Sequence, residues 1–290
     1  MITIQEPTGS AAEIDPVCGG TVRTIRLPQE VLYDPEPPHV RGCDTTLFAG
    51  RLLLPFADRI AGGRYRWRGT EYTLPLNDRE LGDAIHGFLY HQPLEVVSQS
   101  SDRLTLGCEL PARSGYPWAL QVTVTYRVAP ETFFLSVEVL NRGDSSAPLT
   151  VGWHPYFDAG PGATVQIAAS RYIEADERLR LTGRRPPVEG SDFDFRRGRA
   201  IGAENLDVAL ELDQDAQSPV ELTTATHRVQ LTPAGMFTRV QLFTPPGGRG
   251  IALEPVSAPG EAFNDPSLGV TELAPGASVA GSVVVRSAAR

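Results

Sequence analysis

Imidazole and carboxylate are the side chains best suited to moving protons near neutral pH. This chain of 290 residues has five histidines among which to look for such a pair. His86 stands in Asp83-Ala84-Ile85-His86-Gly87-Phe88, where the glycine lets a ligand approach the backbone. His154 stands in Val151-Gly152-Trp153-His154-Pro155-Tyr156-Phe157, flanked by aromatics and fixed by proline. A hydrogen-bonded core histidine is the competing reading of both. His39 follows two prolines and reads as solvated surface, and His227, at a strand start among threonines, reads the same way. His91 precedes Gln92-Pro93 and is either structural or pocket-lining.

The carboxylate to pair with an imidazole is Glu254, at the end of the apolar run Ile251-Ala252-Leu253. A charge buried there needs a partner or a change of protonation. A structural ion pair with an arginine is the competing reading, and Asp207, in Asn205-Leu206-Asp207-Val208, poses the same question. Arg59 offers a planar fork of donors for hydroxyl or carboxylate oxygens. His86, His154 and Glu254 could also form a facial metal triad if their strands converge.

Composition narrows the chemistry. All 26 basic residues are arginine, so mechanisms that need a lysine amine are excluded, including Schiff-base, pyridoxal-phosphate and P-loop chemistry. A net charge of −9 argues against a broad nucleic-acid surface. Cys18, Cys43 and Cys108 lack metal-ligand spacing and read as reduced, buried thiols. Met1 to Pro16 carries no basic residue, unlike a signal peptide, and no apolar run reaches the roughly 18 residues that span a bilayer. The expectation is a cytoplasmic protein without membrane or nucleic-acid partners.

The elements that must position these residues are strands. Leu120, Val122, Val124, Tyr126 and Val128 alternate with polar residues, as do Leu104, Leu106, Cys108 and Leu110, and also Leu135, Val137 and Val139. Similar short runs lie at Arg64–Leu74, Val229–Leu231, Val240–Phe243 and Ser282–Val285. Such period-two runs, punctuated by Gly, Pro, Asn and Asp, predict antiparallel sheets with one buried face. Leu120 to Leu140 reads as a hairpin turning at Ala129-Pro130-Glu131, and Gly62-Gly63 and Gly69 bracket another. Asp78 to Gly82 holds a turn, and Thr182 to Arg199 reads as an exposed excursion. The expected architecture is all-β: one large antiparallel β-sandwich domain over residues 1–290, with few short helices.

Taken together, the segments resemble the aldose 1-epimerase (galactose mutarotase) family, in its shorter bacterial form. Pro55-Phe56-Ala57-Asp58-Arg59-Ile60, then Gly63-Arg64-Tyr65, is similar to the family's Asn-Arg-Ile segment and the strand after it. Ala84-Ile85-His86-Gly87 resembles its first histidine motif, and Gly152-Trp153-His154-Pro155-Tyr156-Phe157 its second. Leu206-Asp207 resembles the substrate-binding aspartate segment. Leu253-Glu254-Pro255, followed by Ala262-Phe263-Asn264, resembles the catalytic glutamate segment, and Leu273-Ala274-Pro275-Gly276 its closing turn. The order of the segments matches from about Phe48 to Pro275.

This resemblance implies a mutarotase-like supersandwich with a sugar cleft on one sheet. Glu254 would take the anomeric hydroxyl proton and His154 would protonate the ring oxygen. The ring would open to the aldehyde and reclose as the other anomer, without cofactor or metal. His86 and Arg59 would hold sugar oxygens, and Asp207 would accept from hydroxyls. Asp58 and Asp83 stand where the family often has Asn, exchanging an amide donor for an acceptor. Trp153, Tyr156 and Phe88 are the aromatics available to face the sugar. A hexose-6-phosphate 1-epimerase would need extra cations, for which Arg41, Arg64, Arg66 and Arg79 are present. A non-catalytic sugar-binding protein on the same sandwich is the remaining alternative, as monomer or homodimer.

Overall fold

Period-two patterning becomes two facing sheets. The computed structural model describes residues 1–36, 42–202, 204–216, 220–245 and 249–290, so His39 and Arg41 lie outside the described residues. The larger sheet has nine strands, in the order Glu95–Gln99, Arg103–Leu110, Leu120–Ala129, Thr132–Asn141, Ser278–Ala289, His227–Gly235, Val220–Thr223, Thr164–Ile167 and Arg199–Ala200. Every pairing in it is antiparallel. The second sheet runs Ala169–Ile173, Asp207–Leu212, Arg239–Phe243, Gly250–Val256, Gly152–Trp153 and Leu52–Leu53, with Tyr156–Asp158 also on Gly250–Val256. A four-stranded sheet of Ile2–Gln5, Ala11–Asp15, Thr21–Leu27 and Gln29–Glu30 flanks them. Strand takes 50% of the chain and helix 4%, which makes the class all-β. No helix among the described residues is long and apolar enough to cross a membrane.

The core lies between the two sheets. Leu120, Val122, Val124, Tyr126 and Val128 point inward and are at most 1% exposed. Each such side chain contributes about 1.5–3 kcal/mol by leaving water. From the second sheet, Leu210, Val240, Leu242, Ile251, Leu253 and Trp153 join the same cluster. Residues between these must point outward, because successive strand side chains alternate faces. Asp207, Gln241 and Glu254 all occupy outward positions, and Gln241 is the register partner of Glu254.

Both expected hairpins form: Leu120–Ala129 turns into Thr132–Asn141, and Arg64–Trp67 pairs with Thr70–Thr73. The turn at Asp78 to Gly82 is present, closed by Gly82 N–H donating to Asp78 O at 2.9 Å. The excursion from Thr182 to Arg199 is exposed along most of its length, but Val188 and Phe195 plug it into the core at 0% and 1% exposure.

The cysteine expectation is overturned. Cys18 and Cys43 form a disulfide, and Cys108 alone is free. Their separation of 25 residues carries no signature, and the pairing depends on tertiary contacts. Val22 N–H donates to Gly50 O at 3.1 Å, bringing the two segments together. The buried guanidinium of Arg51 donates to Thr21 Oγ1 at 2.8 Å and to the carbonyls of Cys18, Gly42 and Asp44 at 3.3–3.4 Å. A bonded pair also removes the cysteine argument for a cytoplasmic location. Cys108 is half-buried, which pushes its thiol up to about 11.

Candidate active site

A cavity of about 810 Å3 lies over the outward face of the second sheet. Asp207, Gln241, Phe243, Glu254 and Val256 reach it from three adjacent strands, with His154 and Tyr156 beside them. Loops complete the walls: Thr45 to Phe48, Asp58 and Arg59, Asn77 to Leu81, and the pair Glu177 and Leu179. These loops explain how a carboxylate on an outward position comes to be only 3% exposed, as Glu254 is.

At the floor, His154 Nε2 lies 3.4 Å from Glu254 Oε1. The imidazole stacks on Tyr156 with ring centroids 5.0 Å apart, and its backbone is held by bonds to Gly50 and Arg51. Burial disfavours charge on both members of the pair. It pushes the His154 imidazole down to about 3. Burial also holds the Glu254 carboxyl well above its ordinary range, and the carboxylates of Asp207 and Asp58 add to that effect while Arg59 opposes it.

His86 is set by backbone geometry. Its φ of 62° is unusual for a non-glycine residue and costs on the order of 1 kcal/mol. The next residue must be glycine, because a Cβ at Gly87 would stand 2.2 Å from Leu54 O. That close approach is made by the Leu54 carbonyl, not by a ligand as the glycine first suggested. Asp58 N–H donates to His86 Nδ1 at 3.1 Å. Nδ1 is therefore an acceptor, and the neutral ring carries its proton on Nε2. Burial, then the neighbouring His154 and Arg59, holds His86 well below its ordinary pKa. Phe48, itself at φ 55°, places its ring edge-to-face against His86 at 4.5 Å.

Arg59 sits in a ring of carboxylates. Its Nη1 is 3.3 Å from Asp58 Oδ1 and 4.0 Å from Asp207 Oδ2, and its Nε donates to Asp78 Oδ2 at 3.1 Å. Burial works against its charge, but these three acids hold its pKa above the ordinary value. Asp207 also accepts from Gln241 Nε2 at 2.5 Å. Burial and then the Asp58 charge push Asp207 up to about 6, against the pull of Arg59 and Gln241. The site thus combines a closely spaced, buried imidazole–carboxylate pair, a second imidazole presenting N–H, and a fixed cation.

The aldose 1-epimerase family model matches residues 1–286. The chain belongs to the aldose 1-epimerase family. The Escherichia coli K12 protein YihR, itself uncharacterized, is 31% identical over 226 residues, covering 74% of this chain and 71% of its own. Rat galactose mutarotase is 34% identical over 167 residues, which is 53% of this chain and 47% of that protein. The match to the mutarotase therefore spans about half its length. Among solved structures, the GalM/aldose epimerase homologue of C. elegans superposes with a TM-score of 0.89 at 18% identity, covering 99% of this chain and 98% of that one. Galactose 1-epimerase from Lactobacillus acidophilus gives a TM-score of 0.83 at 20% identity, covering 99% and 93%. At such identities the structures establish the fold.

In this aldose 1-epimerase family member, His86, His154, Glu254, Arg59, Asp207, Asp58 and Tyr156 all line the cavity. Three residues expected to face the sugar, Trp153, Asp83 and Phe88, lie elsewhere. Trp153 is 0% exposed and packs on Phe133 in the core, because it alternates with His154 across the strand. Asp83 is also 0% exposed; its carboxylate accepts both arms of the Arg180 fork at 2.8 Å and the Gly62 N–H at 2.9 Å. Burial resists its ionisation, yet those bonds hold its carboxyl below the ordinary value. Phe88 lies off the cavity beneath the Arg113 guanidinium, 4.5 Å from its ring. His91 is exposed and away from the cavity. His227 is buried rather than at the surface, with Nδ1 3.0 and 2.9 Å from the hydroxyls of Thr224 and Thr226. Among the described residues no three His, Cys, Asp or Glu side chains converge as metal ligands, so His86, His154 and Glu254 do not form a facial triad.

Sequence reasoning missed Gln241, Asp78 and Phe48. Gln241 had a signal, since it is the outward polar residue in the run Val240–Phe243 that lies next to Glu254. Asp78 and Phe48 had none, because loop paths bring them in.

Proposed function

We propose that this chain is an aldose 1-epimerase that interconverts the α and β anomers of a free, uncharged aldose by ring opening and closure. The observation that carries this reading is the buried His154–Glu254 pair, 3.4 Å apart on the cavity floor, with His86 presenting Nε2–H beside it. In ring opening, Glu254 takes the proton of the anomeric hydroxyl while His154 gives one to the ring oxygen. Rotation about C1–C2 turns the aldehyde over, and reclosure returns each proton to its origin. The pair therefore holds one proton throughout. Burial favours the uncharged arrangement, with the proton on Glu254, which is the state needed for closure. Opening starts from the charged arrangement, which a bound sugar supports by donating to Glu254 and accepting from His154. Positioned acid–base chemistry of this kind contributes about 10²–10⁴-fold.

The balance of charge favours a free sugar over a phosphorylated one. Besides the protonated Glu254, Asp58, Asp78, Glu80, Glu177 and Asp207 line the cavity, against Arg59 and Arg79 among the described residues. Arg59 is already engaged by three acids, Arg64 and Arg66 stand on a hairpin away from the cavity, and Arg79 is left as a single exposed cation among the lining acids. A phosphate needs charge-assisted donors that are not already occupied.

Polarimetry of freshly dissolved α-galactose and α-glucose tests the proposal. The protein should speed the approach to anomeric equilibrium in proportion to its concentration. No acceleration across a panel of aldoses, with sugar binding intact, would replace this reading with that of a non-catalytic sugar-binding protein.

A further inference from the structure

The turn Asp176 to Arg180 reaches the cavity through Glu177 and Leu179, and it lies between the strand Ala169–Ile173 and the excursion that begins at Thr182. Its inner bonds are local: Leu179 N–H donates to Asp176 O at 2.9 Å, and Arg178 and Arg180 N–H donate to Asp176 Oδ1 at 2.8 and 2.9 Å. Leu179 sits at φ 57°, a strained setting for a non-glycine residue, and a short backbone ladder closes the turn, with Asp176 N–H donating to Arg180 O at 2.8 Å and Thr182 N–H to Glu174 O at 2.9 Å. Arg180 ties this closed turn to the rest of the site. Its guanidinium forks onto the fully buried carboxylate of Asp83, and the same arm lies 3.9 Å from Glu261 Oε1. Asp83 is in turn anchored by Gly62 N–H, and its backbone bonds to Asp78, whose carboxylate holds Arg59. A single bidentate pair thus joins the outer wall of the cavity to the loop that fixes the site's cation. A fork of this kind sets geometry as well as strength.

We propose that Arg180 is a positioning residue for the sugar: its fork onto Asp83 holds Glu177 and Leu179 against the cavity and so sets substrate affinity, without taking part in proton transfer. The inference rests on the mutarotase reading for its kinetic consequence, while the tie itself can be tested without it.

The test uses the double variant Asp83→Asn/Arg180→Gln, which removes both charges and leaves no buried ion unpaired. In amide hydrogen exchange, Leu179 and Arg180 should exchange at least about tenfold faster than in wild type, with the strands carrying Gln241 and Glu254 unchanged. In mutarotation assays, KM should rise about tenfold, equivalent to about 1.4 kcal/mol, with kcat nearly unchanged. Arg180→Lys, which keeps the charge but loses the fork, should fall between. Unchanged exchange in the turn, unchanged KM in the folded variant, or a fall in kcat with KM intact would each overturn the proposal. If wild type accelerates no aldose, the functional reading fails separately and the exchange arm still decides the tie.

Discussion

The backbone N–H of Asp58 donates to Nδ1 of His86, 28 residues away, at 3.1 Å. One main-chain bond therefore selects the tautomer of a side chain in the cavity and aims Nε2–H at whatever oxygen lies there. Nitrogen NMR should find His86 neutral and protonated on Nε2 well below the ordinary imidazole pKa, as its burial requires. His86→Ala should cost about 10²–10³ in kcat, the usual loss for one oriented donor to developing charge. A ring protonated on Nδ1 would contradict the geometry.

The pH–rate profile follows from the one-proton pair, read as a coupled unit. Below about 3, where His154 gains its proton, the pair holds two protons and has no base. Above the raised value of Glu254 it holds none and has no acid. Between those limits kcat/KM should form a broad plateau. Asp207 should add an inflection near 6, since it is charged and accepts best above that value. Asp207→Asn should remove this inflection and draw the alkaline limb to lower pH, because the Asp207 charge helps to raise Glu254, while the acid limb stays in place.

Glu254→Gln should separate stability from activity. Mutarotation should fall by about 10²–10⁴-fold with the loss of the base. Stability should move the other way at neutral pH. The folded protein holds the Glu254 proton above the ordinary 4.5, so it binds more protons than the unfolded chain in that window. Folding stability contributed by this group therefore declines as pH rises from 4.5 through the folded value. Thermal melts from pH 4 to 8 should show the variant gaining on wild type as pH increases. A variant less stable than wild type at pH 8 would show that the carboxylate is stabilised in place.

The disulfide makes a separate prediction. Alkylation of the unfolded, unreduced protein should find one free thiol, Cys108, and reduction should add two more, Cys18 and Cys43. Closing a loop of 25 residues is worth about 3.5 kcal/mol through the unfolded state. Denaturant titration of oxidised and reduced protein measures this difference directly. Equal stabilities would mean that the Arg51 contacts alone hold the segment.

Substrate charge gives the last prediction. With five lining acids besides the protonated Glu254 set against two arginines, glucose 6-phosphate should show a KM at least about tenfold above that of glucose. A lower KM for the phosphate would return the hexose-6-phosphate reading to the front.

Much of the architecture was legible as pattern. Period two in Leu120 to Val128 is a local property, and it is enough to assign an antiparallel strand with one buried face, because side chains alternate whatever the partner. Motif order brought His86, His154, Arg59, Asp207 and Glu254 under one family resemblance, but only the paired strands set Glu254 beside Gln241 on the outer face. Only the fold could tell Asp58 from Asp83. Both are carboxylates close in sequence to a site residue, but Asp58 lines the cavity and Asp83 is buried under Arg180, nearly a hundred residues away in the chain. The disulfide, the reach of Phe48 and the charge states of the floor belong to the same class. Each depends on which distant groups share a small volume and on how far water is excluded from it, and neither quantity is a local property of the chain.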